Sequence, residues 1–141
     1  MKANEKNKFT MIIPATKNNA NIAINTINEF LNVNCINNPD IITASTEAIN
    51  NVVDHAYAGN NYTYDDMVID VKLTDKLTIT VQDKGVGIAN VDLARSTLYT
   101  TGNKDYHSGM GFTIMEQFSD KLDIKSKYGF GTKIVLTYLN I

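Results

Sequence analysis

The chain has 141 residues, 43% of them hydrophobic and 20% charged, which fits one soluble globular domain with its own core. A net charge of −2 without a basic block argues against nonspecific nucleic-acid binding, which needs a patch of phosphate-neutralising Lys or Arg. The single Cys35 excludes an internal disulfide and a cysteine-built zinc site, no apolar run approaches the roughly 20 residues of a membrane span, and the polar start Met1 to Lys8 lacks the apolar stretch of a signal peptide. A cytoplasmic protein without membrane or direct nucleic-acid partners is expected.

Phe9-Thr10-Met11-Ile12-Ile13, closed by Pro14, reads as a strand that could lie at a sheet edge, where a flanking proline is tolerated. Asn18 or Asn19 could cap the next segment. There Ile22, Ile24, Ile27, Phe30 and Leu31 recur at helical spacing to about Leu31. After a loop from Asn34 to Asn38, Pro39 opens a second helix that should run to Tyr57-Ala58-Gly59, a normal glycine stop. Met67 to Leu73 and Leu77 to Val81 alternate apolar and polar residues around the short polar Thr74-Asp75-Lys76, the pattern of a hairpin with one face buried. A short helical stretch follows near Val91 to Arg95. Ser96 to His107 is polar and aperiodic, as a mobile loop would be. Met110 to Phe118 has helical apolar spacing. Leu122 to Lys125 and Thr132 to Tyr138 read as a closing pair of strands around Tyr128-Gly129-Phe130-Gly131. The expected fold is α+β, a two-layer sandwich with helices on one face of a mixed, mostly antiparallel sheet.

Three segments carry chemistry. On the second helix Glu47 and Asn51 are four apart, so one turn stacks them, and His55 extends the column. Asn51 could give Mg²⁺ one neutral oxygen ligand, since Mg²⁺ often binds through one or two side chains plus phosphates and water. Glu47 could take a proton from an attacking hydroxyl, and His55 could meet a phosphate oxygen. In Asp83-Lys84-Gly85-Val86-Gly87 a carboxylate ends a strand and two glycines let the backbone approach a flat ligand. An ionised carboxylate only accepts hydrogen bonds, so Asp83 suits the adenine amino group and opposes a keto group. Ser108-Gly109-Met110-Gly111 precedes a helix; Ser108 is a good cap residue, and bare amides at a helix start bind phosphate. It is neither a dinucleotide fingerprint nor a Walker loop. Each segment alone is also the pattern of an ordinary helix face, turn or glycine-rich helix start.

Taken together, in this order, the segments resemble the ATPase family that includes histidine-kinase catalytic domains, gyrase B and the mismatch-repair ATPases. Within it the chain is most similar to the anti-sigma serine kinases of spore-forming bacteria, of the anti-sigma F type. The resemblance is carried by Glu47-Ala48 with Asn51 and His55-Ala56-Tyr57, by Asp83 to Ile88, by Leu98-Tyr99-Thr100-Thr101, by Ser108 to Glu116, which is the most specific run, and by Gly131-Thr132. It implies Glu47 as general base, Asn51 as magnesium ligand, Asp83 on the adenine amine with Thr132 nearby, and Gly85 and Gly87 lining the base pocket. It implies a lid from Thr100 through Thr101 and Lys104 to His107, and phosphate binding by Ser108, Gly109, Met110 and Gly111. The implied activity is a homodimer that binds ATP or ADP with Mg²⁺, holds a sporulation sigma factor of the sigma-F kind, and phosphorylates a serine on an anti-anti-sigma factor. A nucleotide-gated sigma-binding protein without kinase turnover is the alternative. A third reading, the catalytic fragment of a histidine kinase, lacks a phosphoacceptor helix pair ahead of Phe9. Two positions depart from the pattern. His107 stands where the similar proteins tend to carry an arginine that reaches the terminal phosphate, and it is mostly neutral near pH 7 unless an anion raises its pKa; Lys104 could substitute. Ala23 stands where they carry an arginine that grips protein partners.

Overall fold

The computed structural model describes residues 6–57, 65–95 and 110–141. Strand β1 (Asn7–Pro14) leads into helices α1 (Lys17–Val33) and α2 (Pro39–Asn51). A π turn, Val52–Ala56, continues α2. Strands β2 (Asp66–Leu73) and β3 (Leu77–Asp83) follow, then the short helices α3 (Val91–Ala94) and α4 (Gly111–Gln117), and strands β4 (Lys121–Lys127) and β5 (Gly131–Tyr138).

The five strands form one sheet in the order β1-β2-β3-β5-β4. Every neighbouring pair is antiparallel, so the sheet is not mixed. β5 slots between β3 and β4 because β4 and β5 are joined as a hairpin while β3 and β5 also run antiparallel. β1 lies at one edge, which accommodates Pro14 without loss of a ladder hydrogen bond on its open side.

The strict alternation of β2 and β3 sends Met67, Ile69, Val71, Leu77, Ile79 and Val81 to one face, where all are buried. Ile134 and Leu136 of β5 continue that face. The helices cover it with Ile27, Phe30 and Leu31 from α1, Ile41, Ala44, Ala48 and Ile49 from α2, and Phe112 and Met115 from α4. Burying each large aliphatic side chain contributes about 1.5–3 kcal/mol, and this layer is what fixes α2 across the sheet.

Caps explain where the helices begin. Thr16, not Asn18 or Asn19, caps α1: its hydroxyl accepts from the Asn19 amide at 3.1 Å, while the Asn19 side chain reaches back to the Pro14 carbonyl at 2.9 Å. Asn38 caps α2, accepting from the Asp40 amide at 3.0 Å, with Pro39 in the first turn. No helix among the described residues is long and apolar enough to cross a membrane.

Candidate functional site

The site residues are organised by the two ends of one rod. α2 carries Glu47 and Asn51, both half-buried, in its last turn and a half. The expected α-helical column stops there. From Val52 the chain takes a π turn, whose hydrogen bonds span five residues instead of four. His55 therefore does not simply continue the Glu47–Asn51 stripe. The wider turn instead presents the Ala56 carbonyl and the Tyr57 side chain to the loop after β3.

That loop is clamped at several points. The Val86 amide donates to the Ala56 carbonyl at 2.7 Å. Tyr57 donates its hydroxyl proton to the Asp66 carbonyl at 2.6 Å and accepts from the Lys84 amide at 3.0 Å. Burial raises the Tyr57 pKa above the ordinary phenol value, so the hydroxyl keeps its proton and its two-sided role. Gly85 is demanded by this approach. A methyl there would run into the Ala56 carbonyl oxygen and lie 2.9 Å from the Ala56 Cβ. Gly87 has φ +76°, the left-handed region that glycine enters freely, and its Cα faces the Lys127 carbonyl.

Asp83 closes β3 and is only 4% exposed. Its Oδ1 accepts from the Gly85 amide at 2.8 Å. Burial raises its pKa above the usual carboxylate value, against the backbone amides of Gly85 and Thr132, which favour the charged form. Opposite it on β5 stands Thr132, 6% exposed, and opposite Thr132 on β4 stands Ser126. The Ser126 hydroxyl lies 2.8 Å from that of Thr132 and accepts from the Ile88 amide at 2.7 Å. The β4–β5 turn completes the wall: the Gly129 amide donates to the Val86 carbonyl at 2.6 Å. This half of the arrangement is a buried acceptor beside backbone that no side chain can cover, suited to a flat ligand with an amino group.

The other half lies at Glu47. α2 packs against α4, and a methyl at Gly111 would meet the Glu47 Oε1 at 3.4 Å. The carboxylate thus sits at the start of α4. The cap position of α4 is Met110, without a side-chain cap, and the helix begins at Gly111, three residues after Ser108. From Glu47 to Ala56 the rod spans roughly 13 Å at 1.5 Å per residue, a separation that suits a base at one end and phosphates at the other. No group of three or more His, Cys, Asp or Glu gathers among the described residues in a way that could hold a metal. A Mg²⁺ held by the Asn51 amide oxygen together with phosphates needs no such cage.

The structure therefore brings Asp83, Gly85, Gly87 and Thr132 together, and separately brings Glu47 to Gly111. Thr100, Thr101, Lys104, His107, Ser108 and Gly109 lie outside the described residues. Ser126 has no counterpart among the expected site residues, and Tyr57 and Gly131 entered only with the resemblance, without an assigned role. Gly131 has φ +111°, and its Cα faces the Asp83 carbonyl. The sequence signal for Tyr57 was its place directly after His55-Ala56; for Ser126 it was a hydroxyl at an inward position of β4.

Comparison with known proteins gives a consistent pattern. A family model described as the histidine kinase-like ATPase domain matches residues 13–138. An anti-sigma F factor from Clostridium perfringens is 41% identical over 98 residues, 69% of this chain and 69% of its own. One from Bacillus cytotoxicus is 42% identical over 100 residues, 70% of this chain and 66% of its own. The solved RsbU and RsbW domains of a Mycobacterium tuberculosis protein share the fold with a TM-score of 0.65 at 20% identity, over 94% of this chain and 32% of that one. The histidine kinase domain of a blue-light activated kinase from Erythrobacter litoralis does so with a TM-score of 0.53 at 21% identity, over 70% of this chain and 42% of that one.

Proposed function

We infer that this chain, which belongs to the histidine kinase-like ATPase family and to its anti-sigma F factor group, binds ATP, sequesters a sporulation sigma factor and phosphorylates a serine of an anti-anti-sigma protein. The observation that carries the reading is the pairing of a 4%-exposed Asp83 with a loop that approaches Ala56 too closely for any Cβ. Such a site accepts a hydrogen bond from a flat amine-bearing base. The same helix that receives this loop delivers Glu47 to the start of α4.

In this reading the 141 residues act as one ATP-binding domain in a cytoplasmic homodimer. Asp83 accepts from the adenine amine, Thr132 assists, and Gly85 and Gly87 line the base pocket, where the absence of a Cβ lets their loop close onto Ala56 and Lys127. Ser108, Gly109, Met110 and Gly111 offer amides to the phosphates, with Thr100, Thr101 and Lys104 around them, while His55, in the π turn beside Ala56, lies toward the base end. Mg²⁺, when bound, neutralises phosphate charge, and Asn51 is the side chain that would hold it. Glu47 orients the acceptor serine and takes its proton as the hydroxyl attacks. His107 donates to the terminal phosphate where the group's arginine would stand.

Incubation with labelled ATP, Mg²⁺ and a candidate anti-anti-sigma protein, followed by phosphosite mapping, tests the reading. Transfer to a serine, abolished by Glu47→Gln with ATP binding retained, is expected. Transfer at the wild-type rate by Glu47→Gln would refute the base assignment. One sequence feature favours a second reading, a nucleotide-gated sigma-binding protein with weak or no kinase chemistry: His107 in place of arginine. His107→Arg then separates the two. Faster transfer supports a kinase limited at that position, whereas ATP-dependent sigma binding with no transfer in either variant supports the second reading.

A further inference from the structure

Three hydrogen bonds converge on the Ser126 hydroxyl. The Ile88 amide donates to Oγ at 2.7 Å, the Gly131 carbonyl accepts from it at 2.9 Å, and the Thr132 Oγ1 lies 2.8 Å away. A hydroxyl has one proton and two lone pairs. The Gly131 carbonyl can only accept, so it takes the Ser126 proton. The Ile88 amide can only donate, so it occupies one lone pair. One lone pair remains for Thr132, and the proton in that contact must come from the Thr132 hydroxyl. Thr132 is then left with lone pairs alone for anything else that approaches it.

Thr132 faces Asp83 directly across the β3–β5 ladder, and both are buried. The ionised Asp83 carboxylate also only accepts. Two acceptors therefore stand side by side. We propose that Ser126 is a specificity-determining positioning residue: by taking the Thr132 proton it fixes Thr132 as an acceptor, so that the paired wall matches an exocyclic amine with two N–H groups and opposes a keto oxygen. The proposal rests on Asp83 being the base-binding carboxylate. Ser126 acts through Thr132, not on the base. Without Ser126 the Thr132 proton is free to turn and donate to a keto oxygen.

The test is calorimetric titration of the full chain with Mg·ATP and with Mg·ITP, which carries a keto group in place of the amine. Wild type is expected to prefer ATP. Ser126→Ala should narrow the ATP-to-ITP affinity ratio by about fivefold, the worth of one net hydrogen bond, and Ser126→Thr, which keeps the hydroxyl, should restore it. Loss of the Ile88 partner alone would weaken both nucleotides equally. An unchanged ratio in Ser126→Ala overturns the proposal while leaving the adenine site standing. So does a narrowed ratio in Ser126→Thr. A wild-type chain that binds neither nucleotide overturns the site itself and the proposal with it. Should Ser126→Ala fail to fold, Thr132→Val makes the same measurement: weakened ATP with ITP unchanged supports the paired-acceptor wall, and equal weakening of both overturns it.

Discussion

Gly85→Ala probes the contact between the π turn and the base loop. The added methyl meets the Ala56 carbonyl oxygen and carbon, both backbone, with the Ala56 Cβ at 2.9 Å. No flexible side chain can yield, so the loop or the π turn must move. Overpacking of this kind costs about 1–3 kcal/mol. The shift also pulls the Val86 amide from the Ala56 carbonyl, now 2.7 Å apart, at a cost of about 1 kcal/mol. The sum is about 2–4 kcal/mol, a large share of the roughly 5–15 kcal/mol that holds a typical domain folded. With an m-value of about 2 kcal/mol/M, the urea midpoint should fall by about 1–2 M. ATP affinity should fall further than stability explains, because the Gly85 amide that anchors the Asp83 carboxylate at 2.8 Å moves too. A midpoint unchanged from wild type would refute the claim that the loop is pressed onto Ala56.

Gly111→Ala should behave oppositely. Alanine in a helix gains up to about 1 kcal/mol over glycine, and its methyl would rest in ordinary contact with Glu47 Oε1 at 3.4 Å, so the urea midpoint should hold or rise; a fall like that expected for Gly85→Ala would refute this placing of Glu47 beside the start of α4. Tyr57→Phe removes one hydroxyl that serves both Asp66 and Lys84; denaturant melts should show a loss of about 1–2 kcal/mol and titration a weaker grip on ATP, and a neutral melt would count against the clamp. Asp83 has a raised pKa from burial, so its contribution to folding is greatest below the ordinary value near 3.8 and is lost as pH rises through the raised value. Adenine binding runs the other way, since the amine needs the carboxylate: adenosine affinity should fall on acidification already above that ordinary value. Asp83→Asn should lack that step, and persistence of the step in the variant would assign it to another group.

Periodicity made most of the architecture legible. Alternation in Met67–Leu73 and Leu77–Val81 gave β2 and β3, and the spacing of Ile27, Phe30 and Leu31 gave α1, because burial on one face enforces those periods; Ile22, expected on that face, is exposed, and Ala20 and Ala23 are buried there instead. The tight backbone at Asp83, Gly85 and Gly87 was legible for a similar reason: the motif is local, and its residue types restrict what the backbone can do. What escaped depends on neighbours distant in the chain. Nothing in Val52–Ala56 distinguishes a π turn from an α turn; the loop after β3, distant in the chain, is pressed against it at Ala56. Ser126 became a hub only because the β4–β5 register sets it opposite Thr132. The cap at Thr16 was missed because Asn ranks above Thr as a cap residue, and the Asn19 side chain is instead drawn to Pro14.

An amide-resolved NMR titration with Mg·ADP tests most directly whether the two ends of α2 serve one ligand. Gly85, Gly87 and Thr132 at the base end, and Met110 and Gly111 at the α4 end, should shift together with a single dissociation constant. Shifts confined to one end, or two ends saturating with different constants, would contradict a shared nucleotide site.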